Sequence, residues 1–272
     1  MQPSNLKMGN QSKEKKAFIS KALDPFFESA AQLAGFGWRS VREAIYPPFE
    51  FQETFRQCYL IGVNSFPLVG FTGLILGLVL VLQSQPTLVE FGAGSYLPAM
   101  SSISIIREVG PLVTALICAG KIGSGIAAEI GSMKVTEQID AMEVSGTNPF
   151  KFLVATRIMA CMLMIPILCI YADVLALMGA FIGSNINGTV NFSFFFNRVF
   201  EALHFTDIFP SFIKTFIFGF AIGLVGCTKG YHSQNGTEGV GMSANESVVV
   251  SMLSVIVIDM VVTQISGMLG YI

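Results

Sequence analysis

Charge is scarce in this chain. Asp, Glu, Lys and Arg make up 12% of its 272 residues, against 52% for the hydrophobic types. A soluble domain carries about a quarter of its residues as charges. Half that share excludes an ordinary water-soluble globule and implies a surface that faces lipid, and the mean hydropathy of +0.64 agrees. Basic excess is also missing. Sixteen Lys and Arg stand against 18 Asp and Glu, a formal net charge of -2, which argues against a nucleic-acid partner. The five cysteines (Cys58, Cys118, Cys161, Cys169, Cys227) are odd in number and show no CxxC spacing. They support neither a disulfide framework nor a zinc site. His204 and His232 are the only histidines, and no GxSxG accompanies them, so a hydrolase constellation is lacking. The nearest approach to a nucleotide-binding loop ends in Ala119-Gly120-Lys121-Ile122. It lacks the leading Gly and the Ser/Thr that cradle phosphate and hold Mg²⁺. No catalytic residue, cofactor or metal is expected in this chain, and any ATP that drives it must be bound by another.

Long apolar runs are what the sequence has instead. Crossing a hydrocarbon core of about 30 Å takes roughly 20 apolar residues in helix. Five stretches approach that length, at about 60–82, 109–128, 158–182, 209–227 and 248–269. The second is interrupted by Lys121, the third carries Asp173 and the fifth carries Asp259. The expected fold is an all-α integral membrane protein with about five spans. Small residues recur at four-residue spacing in Gly73/Gly77, Gly179/Gly183 and Gly219/Gly223, a pattern that lets helix backbones approach closely in lipid.

The start of the chain reads differently. Residues 1–16 form a polar tail, without the early uninterrupted apolar core of a cleavable signal. Over 17–38, Phe18, Ile19, Leu23, Phe26, Phe27, Leu33 and Phe36 recur at mostly helical spacing among polar residues, with Trp38 and Arg39 following. This predicts an interfacial amphipathic helix, or else a soluble helix packed on a partner. The chain thus divides into the tail (1–16), the interfacial helix and linker (17–59) and the membrane domain (60–272). With the amino end in the cytoplasm, the inner loops hold twelve Lys and Arg and the outer segments only Arg107 and Arg198. The positive-inside rule favours that orientation, and five spans place the carboxyl end outside.

The stretch 107–151 (REVGPLVTALICAGKIGSGIAAEIGSMKVTEQIDAMEVSGTNPFK) is the most informative. It opens on Arg107 and Glu108 beside Gly110-Pro111 and passes through a Gly-rich span bearing Lys121. It ends in a polar helical segment. There Glu137, Asp140 and Glu143 lie three apart on one face, while Ile139 and Met142 sit on another. A short amphipathic helix between two spans suits docking of a soluble partner; a solvated loop helix is the plainer alternative.

This run closely resembles the signature of MlaE-type (YrbE-type) permeases, and the resemblance extends over roughly residues 50–270. It implies a five-span permease of an ABC transporter that forms a homodimer in a bacterial inner membrane. The implied partners are a cytoplasmic ATPase subunit and an MCE-domain lipid-binding protein on the outer face, with a small accessory protein on the ATPase as a further candidate. The implied cargo is phospholipid or a related lipid. The segment 129–146 would be the coupling helix, with Glu129, Lys134, Glu137, Gln138, Asp140 and Glu143 facing the ATPase. Arg107, Glu108 and Lys214 match the family's polar residues near the lipid cavity. Leu74, Leu78, Val81 and Leu82 are expected to line the acyl chains. Arg107 could pair with Glu108 or with a lipid phosphate, to which Arg binds bidentately.

Two other readings compete. An ion-coupled secondary transporter would use Asp173 or Asp259, but five spans cannot form equal inverted halves of the usual kind. A non-transporting membrane scaffold would need neither an outward cavity nor the Arg107–Glu108 pair.

Overall fold

The computed structural model describes residues 31, 33–43, 46, 50–186, 190–234 and 236–269. The polar tail and most of the predicted interfacial helix lie outside the described residues. Among those described there is no strand, and five helical stretches are long and apolar enough to cross a membrane: Phe51–Glu90, Gly94–Val135, Phe150–Ile186, Phe205–Tyr231 and Thr237–Met268. These agree in number and order with the apolar runs but are longer. The first has 40 residues, about 60 Å of helix at 1.5 Å per residue. Apolar composition marks only the part at lipid depth. The helices continue past it because helical hydrogen bonding satisfies the backbone in lipid and in water alike.

In chain order, helix α1 covers 33–43 and α2 is Phe51–Glu90. Span two is composite. It comprises α3 (Leu97–Ser104), a π-helical turn (Ile105–Val109), α4 (Gly110–Cys118), a second π turn (Ala119–Gly123) and α5 (Ser124–Val135). A short helix α6 (Gln138–Val144) comes next. A third π turn (Phe150–Ala155) then leads into α7 (Thr156–Ile186). The surface helix α8 (Phe192–Ala202), then α9 (Phe205–Tyr231) and α10 (Thr237–Met268) complete the chain. Each π turn inserts a residue into the helical ladder and rotates the helix beyond it, a feature that concentrates at functional sites.

The spans pack through their small residues. A Cβ on Gly73 or Gly77 of α2 would strike the backbone of Ala172 or Ala176 on α7, and one on Gly179 would strike the Leu74 carbonyl. Two of the GxxxG pairs therefore face each other across the α2–α7 contact. The third pair, Gly219 and Gly223 on α9, lies against the α7 backbone from Ile158 to Met162. Around these contacts a large core cluster, including Ile122, Ile158, Ile165, Phe218 and Ile222, fills the bundle. A smaller cluster of Val81, Leu97, Ile105, Ala176, Ala180, Phe195 and Val199 closes the end nearest α3 and α8. Large apolar side chains such as Phe71, Ile75, Ile170 and Val174 point outward, as they must where the solvent is lipid.

One end of the bundle gathers basic residues and is called here the basic end. Phe36 of α1 packs there against Phe150 and Tyr231 at ring distances of 4.8 and 6.0 Å. The Arg39 guanidinium lies 4.3 Å from the Phe150 ring centre, a cation–π contact. The described part of the amino-terminal helix thus packs on its own chain. Arg157, only 2% exposed, donates to Glu129 at 2.8 Å and to the Leu153 carbonyl at 3.0 Å, tying span two to span three. Glu129 is half-exposed, so water screens part of the pair. Glu129→Gln is therefore expected to lower stability by about 1–2 kcal/mol, less than a fully buried pair would lose. Thermal unfolding in detergent reads the shift; no change would mean that Arg157 is held by its backbone contact alone.

Candidate functional site

The polar centre of the bundle forms where the first π turn of span two meets α9 and α10. Arg107 and Glu108 are neighbours on that turn, and adjacent helical residues do not face each other. Their side chains accordingly take different partners. Arg107 donates to Asp207 Oδ1 on α9, from Nε at 2.6 Å and also from Nη2. Asp207 is only 1% exposed, and its other oxygen accepts the His204 backbone N–H at 2.9 Å. That second bond caps the first turn of α9 and fixes the carboxylate for Arg107.

Glu108 pairs instead with Lys214, at 2.8 Å. The Lys214 ammonium is 3% exposed and also donates to Thr263 Oγ1 at 3.0 Å. Asp259 Oδ1 lies 2.9 Å away, close enough for an ion pair though poorly aligned for a hydrogen bond. With the Arg107 carbonyl a further 3.5 Å contact, four oxygens surround a group with three hydrogens to give. Thr263 in turn donates to Glu108 Oε1 at 3.2 Å. Such mutual satisfaction is what a charge at membrane depth requires. Two cations meet three carboxylates here, so the cluster is acidic by one charge when every group is ionised.

Beside the cluster lies a cavity of about 460 Å³, lined among others by Ile103, Arg107, Glu108, Pro210, Lys214 and Thr263. Its walls mix apolar side chains with a few convergent charges, the usual make-up of a small-ligand site. Arg107 and Glu108 keep partial exposure towards it.

The fold therefore brings Arg107, Glu108 and Lys214 together. It does not bring Leu74, Leu78, Val81 or Leu82 to this cavity. Leu74, Leu78 and Leu82 lie half-buried on α2, and Val81 is fully enclosed in the smaller core cluster. Asp259 joins the cluster. Asp173 does not: it sits on α7 against the Gly110 backbone, with the Cys169 thiol 3.7 Å from Oδ2. The residue that sequence reasoning misses is Asp207. Its signal is the His204-x-x-Asp207 spacing at a helix start, but nothing local ties it to a residue 100 positions away.

The polar segment after span two is a helix end, a turn and a short helix. Lys134 closes α5 and meets Asp140 at 3.1 Å. Glu137 takes a left-handed conformation at φ 59°, strained for a residue with a side chain. Along α6 Ile139 is fully buried and Met142 packs on the core, while Gln138, Asp140 and Glu143 are exposed. Val144 is an apolar side chain left 91% exposed at the tip.

Comparison with known proteins matches this sequence to one family. The family model described as Permease MlaE covers residues 54–265. A probable ABC transporter permease protein of Rickettsia typhi is 33% identical over 91% of this chain and 95% of its own. A probable ABC transporter permease protein of Synechocystis is 34% identical over 76% of this chain and 78% of its own. The intermembrane phospholipid transport system permease protein MlaE of Haemophilus influenzae is 32% identical over 77% of this chain and 81% of its own. On these matches the chain, with its five spans, belongs to the MlaE family of ABC transporter permeases.

Proposed function

We propose that this permease moves phospholipid or a related lipid between the inner membrane and the outer envelope of a bacterium. The observation that carries the reading is the charged cluster opening on a cavity at membrane depth. A cluster that served only to hold helices together would have no reason to leave Arg107 and Glu108 partly open. A headgroup phosphate could meet the Arg107 donors that Asp207 leaves free, and a headgroup ammonium could meet Glu108. The phospholipid named for the Haemophilus relative supports the same class of cargo.

A complete transporter would pair two copies of this chain with ATPase subunits that bind ATP and Mg²⁺, and with an MCE-domain lipid-binding protein outside. The basic end, with Arg39, Arg42, Lys134, Lys151, Arg157 and Lys229, would face the cytoplasm. The exposed row Glu137, Gln138, Asp140 and Glu143, with Val144 at its tip, would enter the ATPase. In the homodimer, Leu74, Leu78 and Leu82 would guide acyl chains.

Docking and lipid handling can be tested apart. Reversing Glu137 and Asp140 to Lys, or replacing Val144 with Asp, is expected to lower ATPase co-purification and ATPase stimulation at least tenfold, about the effect of one lost buried contact. Lipid bound to the chain should be unchanged. Normal ATPase binding and stimulation in these variants would remove the docking assignment.

A further inference from the structure

Lys121 differs from the other cations inside the bundle. Arg107, Lys214 and Arg157 each have a carboxylate within 3 Å. Lys121 has none within ion-pair distance among the described residues. Its ammonium donates to the backbone carbonyl of Asn64 on α2, and its side chain is exposed on the outer face of the second π turn. A carbonyl accepts one hydrogen but neutralises no charge, and two hydrogens remain to be given. The surroundings leave room for an occupant. One turn further on, a Cβ at Gly125 would meet no atom within 4 Å, and Ser124 beside it is only half-buried.

Depth makes this notable. Asn64 lies four residues inside the apolar run that begins at Leu60, and Lys214 five residues inside the run that begins at Phe209. At 1.5 Å per residue, each is about 6–8 Å below its own end of the apolar slab. The two levels belong to opposite ends. Arg107 and Lys121 stand fourteen residues apart on one span, about 20 Å along the axis. A bare cation at that depth is costly unless water or an anion meets it.

We propose that Lys121 with Asn64 is a second headgroup station, which binds the phosphate of a phospholipid drawn from the leaflet at the basic end. It complements the Arg107–Glu108–Lys214 cluster at the other leaflet, so that one span carries a basic side chain able to meet a phosphate at each level. The inference rests on the lipid-permease reading, and the experiment separates the two.

The chain, with the subunits that co-purify, is placed in nanodiscs of phosphatidylethanolamine and phosphatidylglycerol that contain a trace of phospholipid photoreactive at its headgroup. Cross-linked peptides are then mapped. The expected result is two capture regions, one at 103–108 or 207–214 and one at 60–68 or 117–125. Lys121→Met should reduce the second about tenfold or more, as loss of a charge-assisted hydrogen bond implies. It should leave the first intact, which also reports that the variant is folded. Lys121→Arg should keep both. Capture at the first region alone overturns the proposal and leaves the lipid-permease reading standing. So does a second region that Lys121→Met does not weaken, or one that millimolar inorganic phosphate empties, which marks a free-anion site. Loss of subunit pairing in Lys121→Met with lipid capture unchanged also overturns it, because Lys121 is then a contact between copies. No capture at either region removes the lipid reading itself.

Discussion

Lys214→Met is expected to be the most damaging single change in the chain. It removes the ammonium that lies between Glu108 and Asp259 and leaves two carboxylates facing each other at membrane depth. Breaking a buried pair by deleting one partner costs about 3–5 kcal/mol, because the surviving charge is stranded. Here two charges are stranded around one lost cation. The variant should unfold at a clearly lower temperature in detergent and carry little bound lipid. The triple variant Lys214→Met/Glu108→Gln/Asp259→Asn removes the stranded charge and should recover most of the folding loss. It should not recover lipid binding if the cluster reads a headgroup. Full recovery of both would reduce the cluster to a structural device. A Lys214→Met protein as stable as the parent would mean that water reaches the cluster freely.

The second large effect is steric. Gly77 faces the Ala176 carbonyl so closely that an added Cβ cannot fit without parting α2 from α7. In lipid the association of two helices depends on such close approach. Gly77→Leu is expected to cost at least the roughly 1–3 kcal/mol of an overpacked core, since the obstacle is rigid backbone rather than a side chain that can turn away. Gly241 on α10 supplies the control. A Cβ there meets nothing within 4 Å, and Gly241→Ala should be neutral or stabilising by up to about 1 kcal/mol through helix propensity. Thermal unfolding of the two variants side by side checks the contrast, and equal melting temperatures would refute the packing account.

Much of the architecture was legible in the residues. Lipid depth imposes a run of about 20 apolar positions, and five runs led to five spans. The buried and exposed faces of α6 agree with Ile139 and Met142 set against Asp140 and Glu143. The GxxxG pairs marked surfaces that do meet other helices, although spacing alone could not say that Gly77 would face α7. Where helices end was not legible, because Glu53, Arg56 and Lys134 can sit in helix as readily as leucine once past the hydrocarbon. Nor were the π turns, since an i→i+5 step leaves no periodic mark in five residues.

The candidate site was half legible. Arg107 and Glu108 stood out as neighbouring charges at the end of a span, and Lys214 was singled out by the family resemblance. Their pairing did not, because it is decided by three helices converging from distant parts of the chain. Neighbouring charges in sequence suggested an Arg107–Glu108 pair. Helical rotation sends them to Asp207 and Lys214 instead. Asp259, unexplained as an isolated acid in a span, acquires a reason once Lys214 is seen beside it.

The most direct test of the central claim is to extract the chain from its own membrane with mild detergent, capture it by an affinity tag, and identify by mass spectrometry the proteins and lipids that come with it. An ABC ATPase, an MCE-domain protein, and phospholipid in proportions different from the bulk membrane are expected. Recovery of the chain alone, with lipid in bulk-membrane proportions, would contradict it.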